Sequence, residues 1–159
     1  MTVADSLQHA GFTHLCPIGI ERDSTGIPIE DFPQNRYENH GHVRLNTHGK
    51  GPFCRLTLQI TLPDGPGVYV ITVDDSVVYI GECENLRRMF GSVGFGVIQP
   101  SSCFVGGQST NCKVNSRILE STLKNAIPVL WFLSEGTINR KLVKENLVSN
   151  FRPAWNDRG

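Results

Sequence analysis

The stretch 65–90, GPGVYVITVDDSVVYIGECENLRRMF, holds two tyrosines ten residues apart, each close to a glycine. VYVITV (68–73) and VVYI (77–80) are rich in β-branched and aromatic residues and flank Asp74-Asp75-Ser76. This composition predicts a β-hairpin with a short turn. With a three-residue turn at 74–76, Val73 faces Val77, Ile71 faces Tyr79 and Tyr69 faces Gly81. Tyr69 and Tyr79 are then diagonal neighbours on one face of the sheet. Gly81 leaves the space opposite Tyr69 open. A slip of one residue would send the two rings to opposite faces, so the inference depends on register. The tyrosines either simply pack, since tyrosine favours strands, or bring their hydroxyls to a common point.

Upstream, CRLTLQITL (54–62) alternates apolar and polar residues and predicts a half-buried strand. Residues 17–52 are rich in Gly, Pro, Asn, Asp and His and predict irregular structure. A short helix over 2–10 is expected to end at Gly11. Downstream, a helix begins between Glu84 and Met89 and is broken by the glycines and Pro100 that follow. Asn115 or Ser116 is expected to cap a second helix, with Ile118, Leu119 and Leu123 at helical spacing. VLWFL (129–133) follows as a strand. A last helix is expected from a Thr137 cap to about Asn150, ended by Pro153. The order after residue 65 is thus β-β-α-α-β-α. The fold class is α/β (α+β), with an N-terminal loop and strand elaboration over 1–65 packed on a core of 66–159.

A length of 159 residues fits one compact domain with a substantial core. Lys+Arg and Asp+Glu both number 15, which excludes a strongly basic, nonspecific polyanion binder. The absence of a long apolar run or a signal-like N-terminus predicts a cytoplasmic chain without a membrane span. Five cysteines without a C-x-x-C read as reduced thiols.

In the last helix, Ile138, Leu142, Glu145 and Ser149 share one stripe, and Val143, Leu147 and Phe151 another. The helix is therefore expected to be largely buried. A carboxylate at Glu145 then needs a partner or a cation, unless it is partly exposed and paired with Lys141. Arg140, Lys141, Lys144 and Arg152 flank it and form a local basic patch. ENHGHVRLNTHGKG (38–51) gathers His40, His42 and His48 with Arg44 and Lys50 as either a polar surface loop or a DNA-contacting arm. Gln108, Asn111, Lys113, Asn115 and Arg117 are of the types that read base edges and phosphates. They read equally as a polar loop and a helix cap.

GVY (67–69), YIG (79–81), NLRR (85–88) and KENLVSNFRPAWN (144–156) together resemble the GIY-YIG nuclease superfamily over residues 65–156. CFVGGQSTNCKVN (103–115), within a 91–115 insertion, looks like the restriction-endonuclease branch. The resemblance implies a three-stranded antiparallel sheet with flanking helices. It also implies hydrolysis of a DNA phosphodiester with Mg²⁺ (or Mn²⁺). In those terms Tyr69 is the general base or positions the attacking water, and Tyr79 orients water or phosphate. Glu145 binds the metal and Asn156 helps hold the site. A tyrosine base needs its pKa, near 10 unperturbed, pulled down by nearby cations.

Two positions depart from the pattern. The family's helix arginine stands four residues after the Asn of N-L, which here is Met89. Arg87 and Arg88 lie just before it, each pointing elsewhere on a helix that turns 100° per residue. Met89 either disables the site or simply packs. Glu82 replaces a basic residue after YIG, and either removes positive charge or helps recruit the metal. The expected function is a sequence-specific, type II restriction-like endodeoxyribonuclease acting on double-stranded DNA as a homodimer, without an organic cofactor. The alternatives are a catalytically impaired DNA-binding module and a repair-type, structure-selective nuclease.

Overall fold

The structure, a computed structural model, describes residues 1–156. Its elements in chain order are α1 (Val3–His9), β1 (Thr13–Pro17), β2 (Gly19–Ile20), β3 (Leu56–Thr57), β4 (Gly67–Val73), β5 (Ser76–Cys83), α2 (Leu86–Met89), α3 (Ser109–Leu123), β6 (Pro128–Ser134) and α4 (Arg140–Phe151). The chain forms two compact units that interleave along the sequence. One comprises Met1–Ile18, Leu58–Arg87 and the stretch from Ala126 onward. The other comprises Gly19–Thr57 and Arg88–Asn125. The sequence reading placed one boundary at residue 65.

The first unit is built on an antiparallel sheet of order β1-β6-β4-β5. Strands β4, β5 and β6 are the three expected ones. The fourth, β1, was not foreseen, because its edge position buries only Cys16 and leaves no alternation to read. The hairpin turn is two residues, Asp74-Asp75, with Asp74 at φ 55°. Val73 therefore faces Ser76 and Thr72 faces Val77, not the pairs expected from a three-residue turn. A register shift between Ile71 and Thr72 then restores Ile71 opposite Tyr79 and Tyr69 opposite Gly81. The bulge has a packing reason. It turns Val77 and Ile80 to one face, where they join Leu7, Phe12, Val68, Val70 and Trp131 in a core, while Tyr79 goes to the other face.

Helix α1 starts in a capping box in which Thr2 and Asp5 exchange hydrogen bonds, both 3.1 Å. The Asp75 carboxylate accepts the Val3 amide at 3.0 Å and ties the helix to the hairpin. Helix α4 is capped by Asn139, whose side chain accepts the Leu142 amide, rather than by Thr137. It packs Val143, Leu147, Val148 and Phe151 on the core. It is not largely buried as expected: none of its residues is buried and Leu142 is 54% exposed. Only one stripe meets the sheet. The stripe of Leu142 and Glu145 faces away from it. Arg152 adopts the left-handed conformation and Pro153 follows, which stops the helix.

In the second unit the expected strand over 54–62 shrinks to the two residues of β3, paired with β2. The neighbouring backbone groups take other partners. The Cys54 amide donates to the Asn115 side chain at 2.9 Å, and the Leu56 amide donates to the Gly96 carbonyl at 3.0 Å. Ile60, expected on the apolar face, is 42% exposed. Phe53, Ile98, Cys103, Phe104 and Cys112 form this unit's core.

Helix α3 begins at Ser109, so Asn115 is not a cap but a mid-helix residue with no exposed surface. Besides accepting from Cys54, its amide donates to the carbonyls of Cys54 and Phe95, both at 2.8 Å. Placed so, Asn115 is a core residue and not a surface contact to DNA. Asn115→Ala leaves three backbone groups without their partner. We expect it to cost about 2–4 kcal/mol of stability, read as a lower urea midpoint. All five cysteines are free and buried. No helix among the described residues is long and apolar enough to cross a membrane.

Candidate active site

The restored hairpin register sets the tyrosines side by side, with ring centroids 6.0 Å apart at an interplanar angle of 36°. Both are buried, Tyr69 at 2% exposure and Tyr79 at 6%. Their hydroxyls share a hydrogen bond that favours keeping the proton on Tyr69. Burial pushes the Tyr69 hydroxyl well above its ordinary pKa, and the neighbouring Tyr79, Cys83 and Glu82 push it the same way. Burial also raises Tyr79. The cationic lowering expected for a tyrosine base is therefore not found. Both hydroxyls remain protonated at neutral pH.

Gly81 is what admits the Tyr69 ring. A Cβ built there falls on the ring and its hydroxyl, well inside van der Waals contact. Gly81→Ala must displace that ring, and we expect a loss of about 1–3 kcal/mol. Gly41→Ala, where a Cβ meets nothing within 4 Å, should be nearly silent in the same thermal melt.

Strand β5 is an edge of the sheet, and Asn156 closes that edge. Its side-chain oxygen accepts the Ile80 amide and its nitrogen donates to the Ile80 carbonyl, both at 2.8 Å. A side-chain amide thus takes the place of a neighbouring strand. Asn156 holds the segment between Tyr79 and Gly81 in place. Its amide is engaged at both ends in doing so, which makes it a positioning residue.

Asn156 also borders an open cavity of about 650 Å³ lined by Glu82, Lys141, Lys144, Glu145, Val148 and Ser149. Glu145 is exposed on α4. It belongs to none of the ion pairs of the described residues, so the expected pairing with Lys141 does not form. Glu82 is engaged differently. It accepts from Arg140 at 2.5 Å, and Arg140 also donates to Glu135 at 2.5 Å, with Glu84 3.9 Å away. Glu84 approaches Arg140 only through the fold, whereas Glu135 lies five residues before it, off any helical spacing the sequence marks. Arg140, expected to contact DNA, is instead anchored among three carboxylates. Alternate residues of β5 face opposite ways, so Tyr79 and Gly81 lie on one face of the strand and Ile80 and Glu82 on the other. The tyrosine pair and the cavity thus meet β5 from its two sides.

Among the described residues no group of three or more His, Cys, Asp or Glu side chains is placed to hold a metal ion. The cavity nonetheless suits a hard cation. Its donors are oxygens, and Mg²⁺ commonly takes one or two carboxylates and completes its shell with water and phosphate. Glu145 is the carboxylate able to serve without giving up an ion pair.

Arg87 is held by Asp64 at 2.9 Å and by the Leu62 carbonyl at 3.0 Å. Asp64 also accepts from Asn85 at 2.7 Å, so the NLRR segment is fastened to the loop before β4. Arg88 is exposed and Met89 half-buried. Of the DNA contacts expected in the second unit, Gln108, Arg117, His40 and His42 are exposed, and Asn111 and Lys113 are half-buried. Arg117 pairs with Glu120 at 3.0 Å.

No family model matches the chain. Over 98 residues, 62% of its length, it is 26% identical to the UvrABC system protein C of Fusobacterium nucleatum subsp. nucleatum. The match spans 14% of that curated protein. Among solved structures, a mutant of bacteriophage T4 EndoII superposes with a TM-score of 0.54 at 14% identity, over 99% of both chains. Paired tyrosines on adjoining antiparallel strands, flanked by helices, define a GIY-YIG fold. The structural likeness shows a shared fold, and the sequence likeness to protein C supports a GIY-YIG nuclease relationship for this chain.

Proposed function

We propose that the protein is a divalent-metal-dependent endodeoxyribonuclease that cuts duplex DNA at a specific sequence. The observation that carries this reading is the Glu145 cavity, joined through Asn156 and Glu82 to the strand that carries Tyr79. A phosphodiester is already anionic, so its hydrolysis needs an oriented nucleophile and neutralised charge. The tyrosine hydroxyls, held protonated on the face of β5 away from the cavity, supply no phenolate base and act through the strand that Asn156 and Glu82 join to the cavity. A bound divalent cation would supply Lewis-acid stabilisation of the developing charge, with Glu145 as its protein ligand. Lys141 and Lys144, on the same cavity wall, attract the phosphate and offset its charge. Asn156 keeps the Tyr79 segment rigid. The restriction reading rests on the insertion and on exposed Gln108, at the start of α3, as a reader of base edges. A homodimer would let one enzyme cut both strands of a symmetric site.

A second reading, a DNA-binding module that cuts poorly, is favoured by Met89, which brings no charge to the family's arginine position. Incubation with long duplex DNA and Mg²⁺ or Mn²⁺ separates these readings on a gel. Discrete bands establish a sequence-specific nuclease. Retarded but uncut DNA establishes the binding module. Cleavage confined to flaps or junctions would replace the restriction reading with a repair-type one.

A further inference from the structure

The second unit carries a pocket that the catalytic reading does not use. Loop residues His48 and Lys50 converge there with Lys113, Ser116, Arg117 and Glu120 of α3 around a cavity of about 190 Å³. Glu120, the one acid in this lining, is already paired with Arg117. The lining thus keeps two net positive charges before His48 is counted. The loop that presents His48 is fixed. The Asn46 side chain accepts the His48 amide at 3.0 Å and donates to the Ser102 carbonyl at 2.7 Å, while Ser116 donates to the Pro52 carbonyl at 3.2 Å. Cations gathered in a concave, fixed setting repel one another, and an anion relieves that repulsion.

We propose that this pocket seats one backbone phosphate of duplex DNA between Lys50, Lys113 and Arg117, with His48 as a fourth, pH-dependent donor. The proposal rests on the reading of the protein as a DNA nuclease and gives the second unit a gripping role. Its pH dependence has a definite sign. Partial burial, then the charges of Lys113 and Arg117, lower the His48 pKa from 6.5. The remaining charged groups at the pocket are Lys50 and Glu120. A phosphate arriving among them favours the imidazolium, so binding takes up a proton and tightens as pH falls through the His48 titration.

The test is an NMR titration of the His48 ring protons, assigned with His48→Gln, in Ca²⁺ buffer with a short duplex or with inorganic phosphate. The expected result is a rise in the His48 pKa on adding duplex. Lys113→Gln/Arg117→Gln should abolish that rise, weaken duplex binding about tenfold at 0.1 M salt and lower the salt slope by about one. Lys50→Gln, on the loop and away from α3, should reproduce part of the loss if the helix variant folds poorly. If duplex binds but neither His48 nor the salt slope responds, the pocket proposal is wrong while the nuclease reading stands. If inorganic phosphate alone moves His48, the pocket takes small anions and not DNA. If no duplex binds at all, both readings fail together.

Discussion

Glu145→Gln is expected to lower DNA cleavage about a thousandfold, about 4 kcal/mol in the barrier, while leaving duplex affinity in Ca²⁺ unchanged or improved. The side chain is exposed and serves no ion pair among the described residues, so folding does not depend on it. Removing its charge also removes a repulsion against the phosphate that Lys141 and Lys144 attract. A purely structural glutamate would behave otherwise, because its loss would move the melting temperature and not the rate. The paired measurement is single-turnover cleavage beside calorimetric titration of Mn²⁺. The reading predicts that rate and metal affinity fall together with the melting curve unmoved. A variant that cuts at the parent rate would remove Glu145 from the site. Glu82 makes an informative contrast. Glu82→Gln weakens its link to Arg140, so stability should fall in that case.

The hairpin was legible because the pattern of strand residues around a turn is local, and local chemistry decides it. The route to the correct register was not legible. A two-residue turn plus a bulge leaves Tyr69 opposite Gly81, as a three-residue turn would, and only packing of Val77 against the core selects between them. The 54–62 alternation misled because strand formation needs a neighbour. Asn115 and Gly96 took the backbone groups a strand partner would have used. The same residue explains the missed start of α3. Asn115 is a good cap by type, yet it is spent inside the fold on three backbone groups. At the candidate site, the motif resemblance pointed to Tyr69, Tyr79, Glu145 and Asn156, but not to their states. Burial raises the tyrosine hydroxyls where nearby cations were expected to lower them. Asn156 works through Ile80. Arg140 is tied down by Glu82, far from it in sequence, as well as by nearby Glu135. Each of these is a long-range contact with no periodic trace.

Met89→Arg carries the opposite expectation, a gain of about 10²–10³ in cleavage rate with little change in binding. Met89 sits on α2 half-buried, and its carbonyl accepts the Phe95 amide at 2.7 Å. That backbone bond survives the substitution. The long aliphatic stem of an arginine keeps part of the methionine's packing while its guanidinium reaches for solvent or phosphate. The neighbouring arginines do not make the change redundant. Arg87 is engaged by Asp64 and Leu62, and Arg88 is set a full 100° around the helix. Single-turnover cleavage of long duplex with Mg²⁺ measures the gain. Arg88→Gln in the same assay separates the two explanations for any activity of the parent chain. If Arg88→Gln abolishes cutting and Met89→Arg adds nothing, Arg88 supplies the charge the pattern assigns one residue later. If Met89→Arg alone turns a binder into a cutter, the methionine is what holds this chain back.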